Sequence, residues 1–505
     1  MAYPVNEQLL DDKLAILEKA QPWSSRVIPK LEMLIRTGDD DALYRINPIR
    51  FATERGISED ESNALFLHAT KVGLFEIDWH LICPVCAHVI DSFKSLNELH
   101  DQFVCSMCWA ESRASLDDFI QVTFTLSPQI RELAFHHLES LSAEDLYLKT
   151  FVSKGVRALP SRQVLQDFWR QHSILFAYLA PGESRTVEFD VPPGVVHLRD
   201  TLHNTGPIFV VHKQMDPQIQ SVALQMSKGK FHPVERELAP QEMHLGANTF
   251  KFEQVGELHS GRLRLTVKNL MDERCSLAII HLPDGTFPEK LEFGHFLSGK
   301  QLLSTQTFLD LFRSDTRPGA EGLGVKDLTY LFTDLKGSTA LYDAIGDPKA
   351  FYLVRQHFET LTNAVVRNHG AIVKTIGDAV MATFLSPVDA VRAADDMLAD
   401  IDAFNRAISQ RLILKIGIHK GHSIAVTLND RLDYFGQTVN IASRIQELAD
   451  ANEIFISEDV YRAAGVKEAL AAYDVAPQQA IVKGISAEMQ VYKVQHVHPP
   501  AQSRR

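Results

Sequence analysis

Three stretches of this 505-residue chain carry residue types suited to phosphate and metal chemistry. In LFTDLKGST, Asp334 closes an apolar run and is followed by Gly337, Ser338 and Thr339, where a helix would start. A carboxylate there can hold a metal ion, and the free N–H groups and hydroxyls of the turn can hold phosphate oxygens. In AIVKTIGDAVMATF, two apolar, β-branched runs meet at Gly377-Asp378, the mark of a two-residue hairpin. This predicts Asp378 at an exposed tip and Lys374 in mid-strand. Two aspartates at neighbouring strand ends, beside a phosphate-holding turn, form a natural site for two magnesium ions in phosphoryl or nucleotidyl transfer. The third stretch, RLDYFGQTVNIASR, offers Asp433, Asn440 and Arg444. The last two are one helical turn apart, so an amide and a guanidinium share one face, which suits a transition state gaining negative charge. Each stretch alone also fits a bland role, since strands commonly end in Asp before a Gly-Ser cap and solvated helix faces carry Asn and Arg.

A fourth cluster is of another kind. Cys83, Cys86, Cys105 and Cys108 form two Cys-x-x-Cys knuckles. Each knuckle turns tightly enough for both sulfurs to reach one tetrahedral ion, which predicts a closed structural zinc ribbon with no open position for catalysis. Cys275 reads as a lone buried thiol.

The bulk composition sets the frame for these sites. Hydrophobic residues make up 45% and charged residues 23% of the chain, the balance of a folded protein of several domains. The formal net charge of −13 argues against nucleic acid and anionic membrane as partners. No signal peptide and no run of 18 apolar residues is present, so the expected location is cytoplasmic.

The elements that must position the candidate residues follow from periodicity. Residues 1–75 read as helices, with Ser58 and Glu61 as a capping box. Residues 76–125 hold the zinc-ribbon-like module. From 126 to 300 the pattern turns to alternation, as in TVEFDV and RLRLTV, which predicts an antiparallel β-sandwich with a regulatory role. A helix and a Pro/Gly-rich linker fill 301–325. Residues 326–495 mix strands and helices as in an α/β domain, and 496–505 read as a disordered tail.

LFTDLKGST, KTIGDAVMATF, KIGIHKG, DYFGQTVNIASR and VKG, in this order, resemble the catalytic domain of class III adenylyl/guanylyl cyclases, whose α/β fold is ferredoxin-like. The resemblance covers about a third of the chain. The preceding two thirds are similar, more weakly, to the zinc-ribbon and sandwich region ahead of some bacterial cyclase domains.

The resemblance implies that Asp334 and Asp378, with the Leu335 carbonyl, bind two Mg²⁺ or Mn²⁺ ions. Lys374 and Asp433 would read adenine, lysine donating to the ring nitrogen N1 and aspartate accepting from the exocyclic amino group. Guanine presents the reverse pattern on that edge, so ATP is the expected substrate. Asn440 would orient the ribose, Arg444 would stabilise the α-phosphate, Lys483 would grip the terminal phosphates, and the Gly337–Thr339 turn would cradle them. His419 reads as structural and Lys336 as solvated. Because sites in this family form between two catalytic domains, one such domain implies a homodimer with two equivalent sites. Two departures from the family pattern, a missing glycine in HSIAVTLNDRL and Gln437, lie away from these positions. The competing expectations are a guanylate cyclase and a catalytically silent domain that dimerises and senses nucleotide. The regulatory ligand or protein is not named by the sequence.

Overall fold

In the computed structural model the described residues are 3–94, 98, 102–105, 107–108, 110–113, 116, 120–235, 237–245, 248–312, 322–408, 410–428, 431–481 and 488–496. The chain divides into two compact units, one running to Leu297 and the other from Ser298 onward. Among the described residues no helix is long and apolar enough to cross a membrane.

The first unit begins with the expected helices, among them Glu7–Glu18, Val27–Thr37, Pro48–Arg55 and Glu59–Lys71. Ser58 caps the last of these by accepting the Glu61 N–H, but the Glu61 carboxylate accepts instead from the Ser24 backbone N–H and hydroxyl. The capping box is therefore half used for capping and half for tying this helix to the loop that precedes Val27–Thr37. Strands Phe75–Ile82 and Ile120–Leu126 pair antiparallel and flank the cysteine region. Cys83, Cys86, Cys105 and Cys108 are all buried, with their sulfurs within 4.8 Å of one another.

The β-rich region departs from a purely antiparallel sandwich. Its two longest strands, Ile208–Ser227 and Asn248–Asn269, run parallel. The chain between them crosses over and spends its length on two short strands, Lys230–Pro233 and Ala239–Leu245. Register breaks at His212/Met215 and Asp216/Gln220 divide the long pair into two halves. The first half of Ile208–Ser227 pairs with Gly194–Asp200, which pairs in turn with Cys275–Pro283, and the second half of Asn248–Asn269 pairs with Ser184–Val191. One apolar core joins both halves, packing Val196, Leu198 and Phe209 with Leu224, Leu263 and Val267. A second core lies on the cysteine cluster and includes Phe168, Trp169 and Ile280. Both faces of the sheet are thus buried around the first halves, while Arg262, Arg264 and Lys268 stand exposed along the second, and alternating strands alone do not show which neighbour runs which way.

The second unit opens with short helices Gly299–Leu303 and Gln306–Leu311. Residues 313–321 of the expected linker lie outside the described residues, as does the expected tail at 497–505. The central strand, Leu323–Leu335, begins three residues before the expected boundary. In its eight-stranded sheet the main path is Ala371–Ile376, Ala379–Phe384, Leu323–Leu335, Leu414–Leu428, Glu453–Ser457, Met489–His496 and Tyr473–Ala480, and Arg431–Phe435 pairs with Leu414–Leu428 off this path. Helices Asp347–Arg367 and Pro387–Ala407 bury their apolar stripes on one face, against Leu331, Val380, Ala382, Ile416 and Ile456. Helix Gln437–Leu448 packs Ile441 and Ile445 against Phe455 and Val491.

Candidate active site

Asp334 alternates with Leu331 and Leu335, which enter the helix-packed core, so its carboxylate stands on the opposite face of the central strand. The hairpin carrying Asp378 pairs with this strand through Thr329–Phe332 and is tied further along it by the Thr333 hydroxyl, which accepts the Val380 N–H at 3.1 Å. Gly377, at φ +64°, makes the turn that brings Asp378 back toward Asp334. Burial, and then the Asp378 carboxylate beside it, raise the Asp334 carboxyl above the ordinary aspartate range, with Lys415 opposing. Asp378 is half-buried rather than at an exposed tip, because the turn folds over helix Asp347–Arg367. One of its carboxylate oxygens, Oδ2, is buried without a hydrogen-bond partner. Two mutually repelling carboxylates, one with an unsatisfied buried oxygen, fit the hard-oxygen donor set of a divalent cation.

Lys374 stands on strand Ala371–Ile376, where the register slips between Ile372 and Lys374. The bulge at Val373 sets Lys374 opposite Met381, on the face away from Val380 and Ala382 of the helical core. There its ammonium donates to Asp433 Oδ2 at 2.5 Å. Asp433 is only 4% exposed, and its other oxygen accepts the Tyr434 N–H at 2.8 Å. The two expected base-reading residues therefore meet within one chain, a donor and an acceptor side by side.

Asn440 and Arg444 lie on helix Gln437–Leu448, on the side away from Ile441 and Ile445. Among the described residues neither side chain finds a hydrogen-bond partner. The helix rests directly on the sheet at Gly417, where a Cβ would stand 2.2 Å from the Gln446 nitrogen. Only glycine allows that approach, which accounts for one glycine of KIGIHKG. The turn after Asp334 places Gly337, at φ +77°, immediately before helix Ser338–Ile345, whose first N–H groups have no side-chain cap.

Two expected contributors escape description: Lys483 and the Thr339 side chain lie outside the described residues. Lys336 is not merely solvated, since its ammonium pairs with Asp450. His419 is buried and bonds Ser457 Oγ at 2.8 Å, as a structural histidine does. His357 was missed. It sits fully buried in the stripe Ala350, Val354, His357, Leu361 of helix Asp347–Arg367, beneath the Asp378 turn. Burial lowers its pKa to about 4, against the pull of Asp378, so the imidazole is neutral. A histidine at an apolar position of an amphipathic helix was the available signal.

The comparisons with known proteins also divide the chain in two, but the first match runs past Leu297 into the two short helices that open the second unit. Residues 9–310 match the model of a family of unknown function (DUF5939), and residues 324–496 match the adenylate and guanylate cyclase catalytic domain. "Adenylate cyclase 2" of Rhizobium meliloti (strain 1021) is 26% identical over 177 residues, covering 32% of this chain and 48% of the relative. An adenylate cyclase of Anabaena cylindrica is 30% identical over 183 residues, covering 33% of this chain and 36% of the relative. The matched segments thus span less than half the length of either curated relative. Among solved structures, the adenylyl cyclase CyaB from P. aeruginosa aligns with 34% of this chain and 95% of its own, at 26% identity and a TM-score of 0.31. The chain belongs to the DUF5939 family and carries a class III adenylate/guanylate cyclase catalytic domain at its C-terminal end.

Proposed function

We propose that the protein is an adenylate cyclase that converts ATP to 3′,5′-cyclic AMP and pyrophosphate at the interface of a homodimer, under control of its N-terminal unit. The observation that carries the choice of ATP is the Lys374–Asp433 contact. On the Watson–Crick edge of adenine, the ammonium donates to N1 and the carboxylate accepts from the amino group. Guanine offers a donor and an acceptor in the opposite places and would leave both residues facing like partners, at a cost that discriminates strongly in a buried site.

Asp334, Asp378 and the Leu335 carbonyl would hold two Mg²⁺ or Mn²⁺ ions, which when bound supply Lewis-acid activation of the ribose 3′-hydroxyl and charge neutralisation of the triphosphate. Asn440, without a partner among the described residues, hydrogen-bonds the ribose and fixes the line of attack. Arg444, one turn further, faces the α-phosphate as negative charge grows there during in-line displacement. The open N–H groups behind Gly337 receive phosphate oxygens, with Lys483 closing on the leaving pyrophosphate. The metal carboxylates of one protomer and the base-reading pair of the other build each site.

The four buried cysteines fit a structural Zn²⁺. Sulfur separations of 3.5 Å (Cys83–Cys108) and 3.6 Å (Cys86–Cys105) are too long for disulfides. They approach the value of about 3.8 Å that a tetrahedron with Zn–S bonds of about 2.3 Å requires. Elemental analysis finding no zinc in the purified chain would remove this assignment.

The test of the whole is product formation by the full chain with ATP or GTP and Mg²⁺ or Mn²⁺, beside Asp378→Ala. Cyclic AMP from ATP, lost in the variant, is the expected result. Cyclic GMP as the main product would favour the guanylate cyclase alternative, and no cyclic nucleotide from a folded dimer would favour the silent one.

A further inference from the structure

The N-terminal unit contains a groove that no part of the cyclase chemistry uses. Two adjoining cavities of 370 Å³ and 570 Å³ share Asp41, Asn47, Arg50, Glu54, Ser153 and Lys154 in their walls. Across the pair, five basic side chains (Arg45, Arg50, Arg55, Lys154 and Arg157) face three acidic ones (Asp39, Asp41 and Glu54). That is a local positive excess in a chain of net charge −13, and it favours anions in the groove.

The inner wall holds donors that the fold leaves unused. Ser153 is 3% exposed, lines both cavities, and its hydroxyl has no hydrogen-bond partner. Arg45 is fixed from behind, donating to the Thr150 carbonyl at 2.6 Å and Ser92 Oγ at 3.0 Å, while its Nε is buried without an acceptor. Arg55 lines the smaller cavity over the Phe51 ring, and its Nε is likewise buried and unpaired. Buried donors without acceptors are costly, and three of them around one positively charged groove point to an acceptor-rich occupant.

Lys154 makes the wall rigid. Its ammonium spans the Asp41 and Tyr44 carbonyls at 2.8 and 2.9 Å and the Asp41 carboxylate at 3.2 Å, pinning the turn next to Ser153. Burial lowers its pKa to about 8. His80, also in the wall, is bonded through both ring nitrogens to Ser92 and Thr123 and adds no charge, because burial holds it well below the ordinary histidine range. Phe293 and Phe296 give the larger cavity an apolar side.

We propose that this groove binds a small organic anion, carboxylate- or phosphate-bearing, whose acidic oxygens accept from Ser153 and the arginine edges while its body lies against Phe293 and Phe296. The binding claim stands apart from the cyclase assignment, because it is read by binding and not by turnover.

The experiment uses the full chain in calorimetric titration and thermal melting. Sodium citrate and inorganic phosphate are the probes, with sodium chloride at matched ionic strength as the control. Saturable binding of either at millimolar concentration, with a raised melting temperature beyond the chloride control, is expected, and which one binds separates the carboxylate from the phosphate source. Ser153→Ala should weaken that binding by about 10-fold or more, the loss of one hydrogen bond to a charged group, without lowering the melting temperature of the free protein. Arg50→Gln, at a side chain 68% exposed, keeps the fold intact and should weaken binding similarly. Binding of neither probe above the chloride control overturns the proposal, and so does binding that both substitutions leave unchanged.

Discussion

The ammonium of Lys374 donates to the Asp433 carboxylate at 2.5 Å, across a bulge that turns the lysine out of the helix-packed face of its strand. Strand geometry thus creates a donor and an acceptor of fixed order, and the order carries the predicted base preference. Reversing it should reverse the preference. Lys374→Glu with Asp433→Asn presents an acceptor to guanine N1–H and an amide donor to O6, and it avoids placing two carboxylates together. The double variant is expected to lose at least about 100-fold in kcat/KM for ATP, the weight of two mismatched hydrogen bonds, while its rate with GTP rises. A variant that keeps ATP as its better substrate would show that the base is read elsewhere.

Burial, and then repulsion from the Asp378 carboxylate, raise the Asp334 carboxyl above the ordinary aspartate range in the folded protein. Neutralising one of them removes the repulsion and the metal donor together. Asp334→Asn is therefore expected to raise the melting temperature of the metal-free protein by about 1–3 °C while abolishing divalent-dependent activity. Melting with and without Mn²⁺ checks both parts, since the wild type should be stabilised by the ion and the variant should not. A variant that melts lower would mean that Asp334 has a structural partner outweighing the repulsion.

Much of this site is local in sequence, and that is why it could be read there. Gly377-Asp378 between two β-branched runs specifies a hairpin whatever surrounds it, and Asp334 at the end of an apolar run specifies a strand end. The Val373 bulge is not local, because two residues oppose Met381 only once the partner strand is chosen. The same limit hid the parallel pairing of Ile208–Ser227 with Asn248–Asn269, since alternation reveals a strand's faces and says nothing of its neighbour's direction. Asp378 looked exposed because hairpin tips usually are. Its burial depends on a helix 11 to 31 residues upstream, whose own contribution, His357, is disguised as a core position.

His419 links the fold of the catalytic domain to pH. Burial lowers its pKa from an ordinary 6.5 to about 4. The folded state therefore binds its proton more weakly than the unfolded chain, and the stability this represents is present above pH 6.5 and is lost as pH falls toward 4. Between pH 7 and pH 5 the wild type should lose about 2 kcal/mol through this residue. His419→Asn keeps a hydrogen-bonding group toward Ser457 without titrating, so denaturant unfolding of wild type and variant at the two pH values isolates the effect. Equal losses in both would mean that His419 stays uncharged in the unfolded chain or charged in the folded one.

The proposed homodimer with split sites makes a quantitative demand on mixed protomers. Asp378→Ala removes the metal half of every site its chain supplies, and Lys374→Ala removes the base-reading half. Each variant alone should be inactive, because every site in its dimer lacks one half. In a heterodimer of the two, one site receives both defects and the other receives none. Random exchange of equal amounts makes half the dimers mixed, each with one intact site of two, so activity should return to about one quarter of wild type. Co-expression with two affinity tags, followed by purification of the mixed dimer, raises the expected value to about one half per dimer. If Lys374 and Asp378 served the same site within one chain, no mixture would recover activity, whereas recovery at these fractions requires that the strand lysine and the turn aspartate of one chain work in different sites.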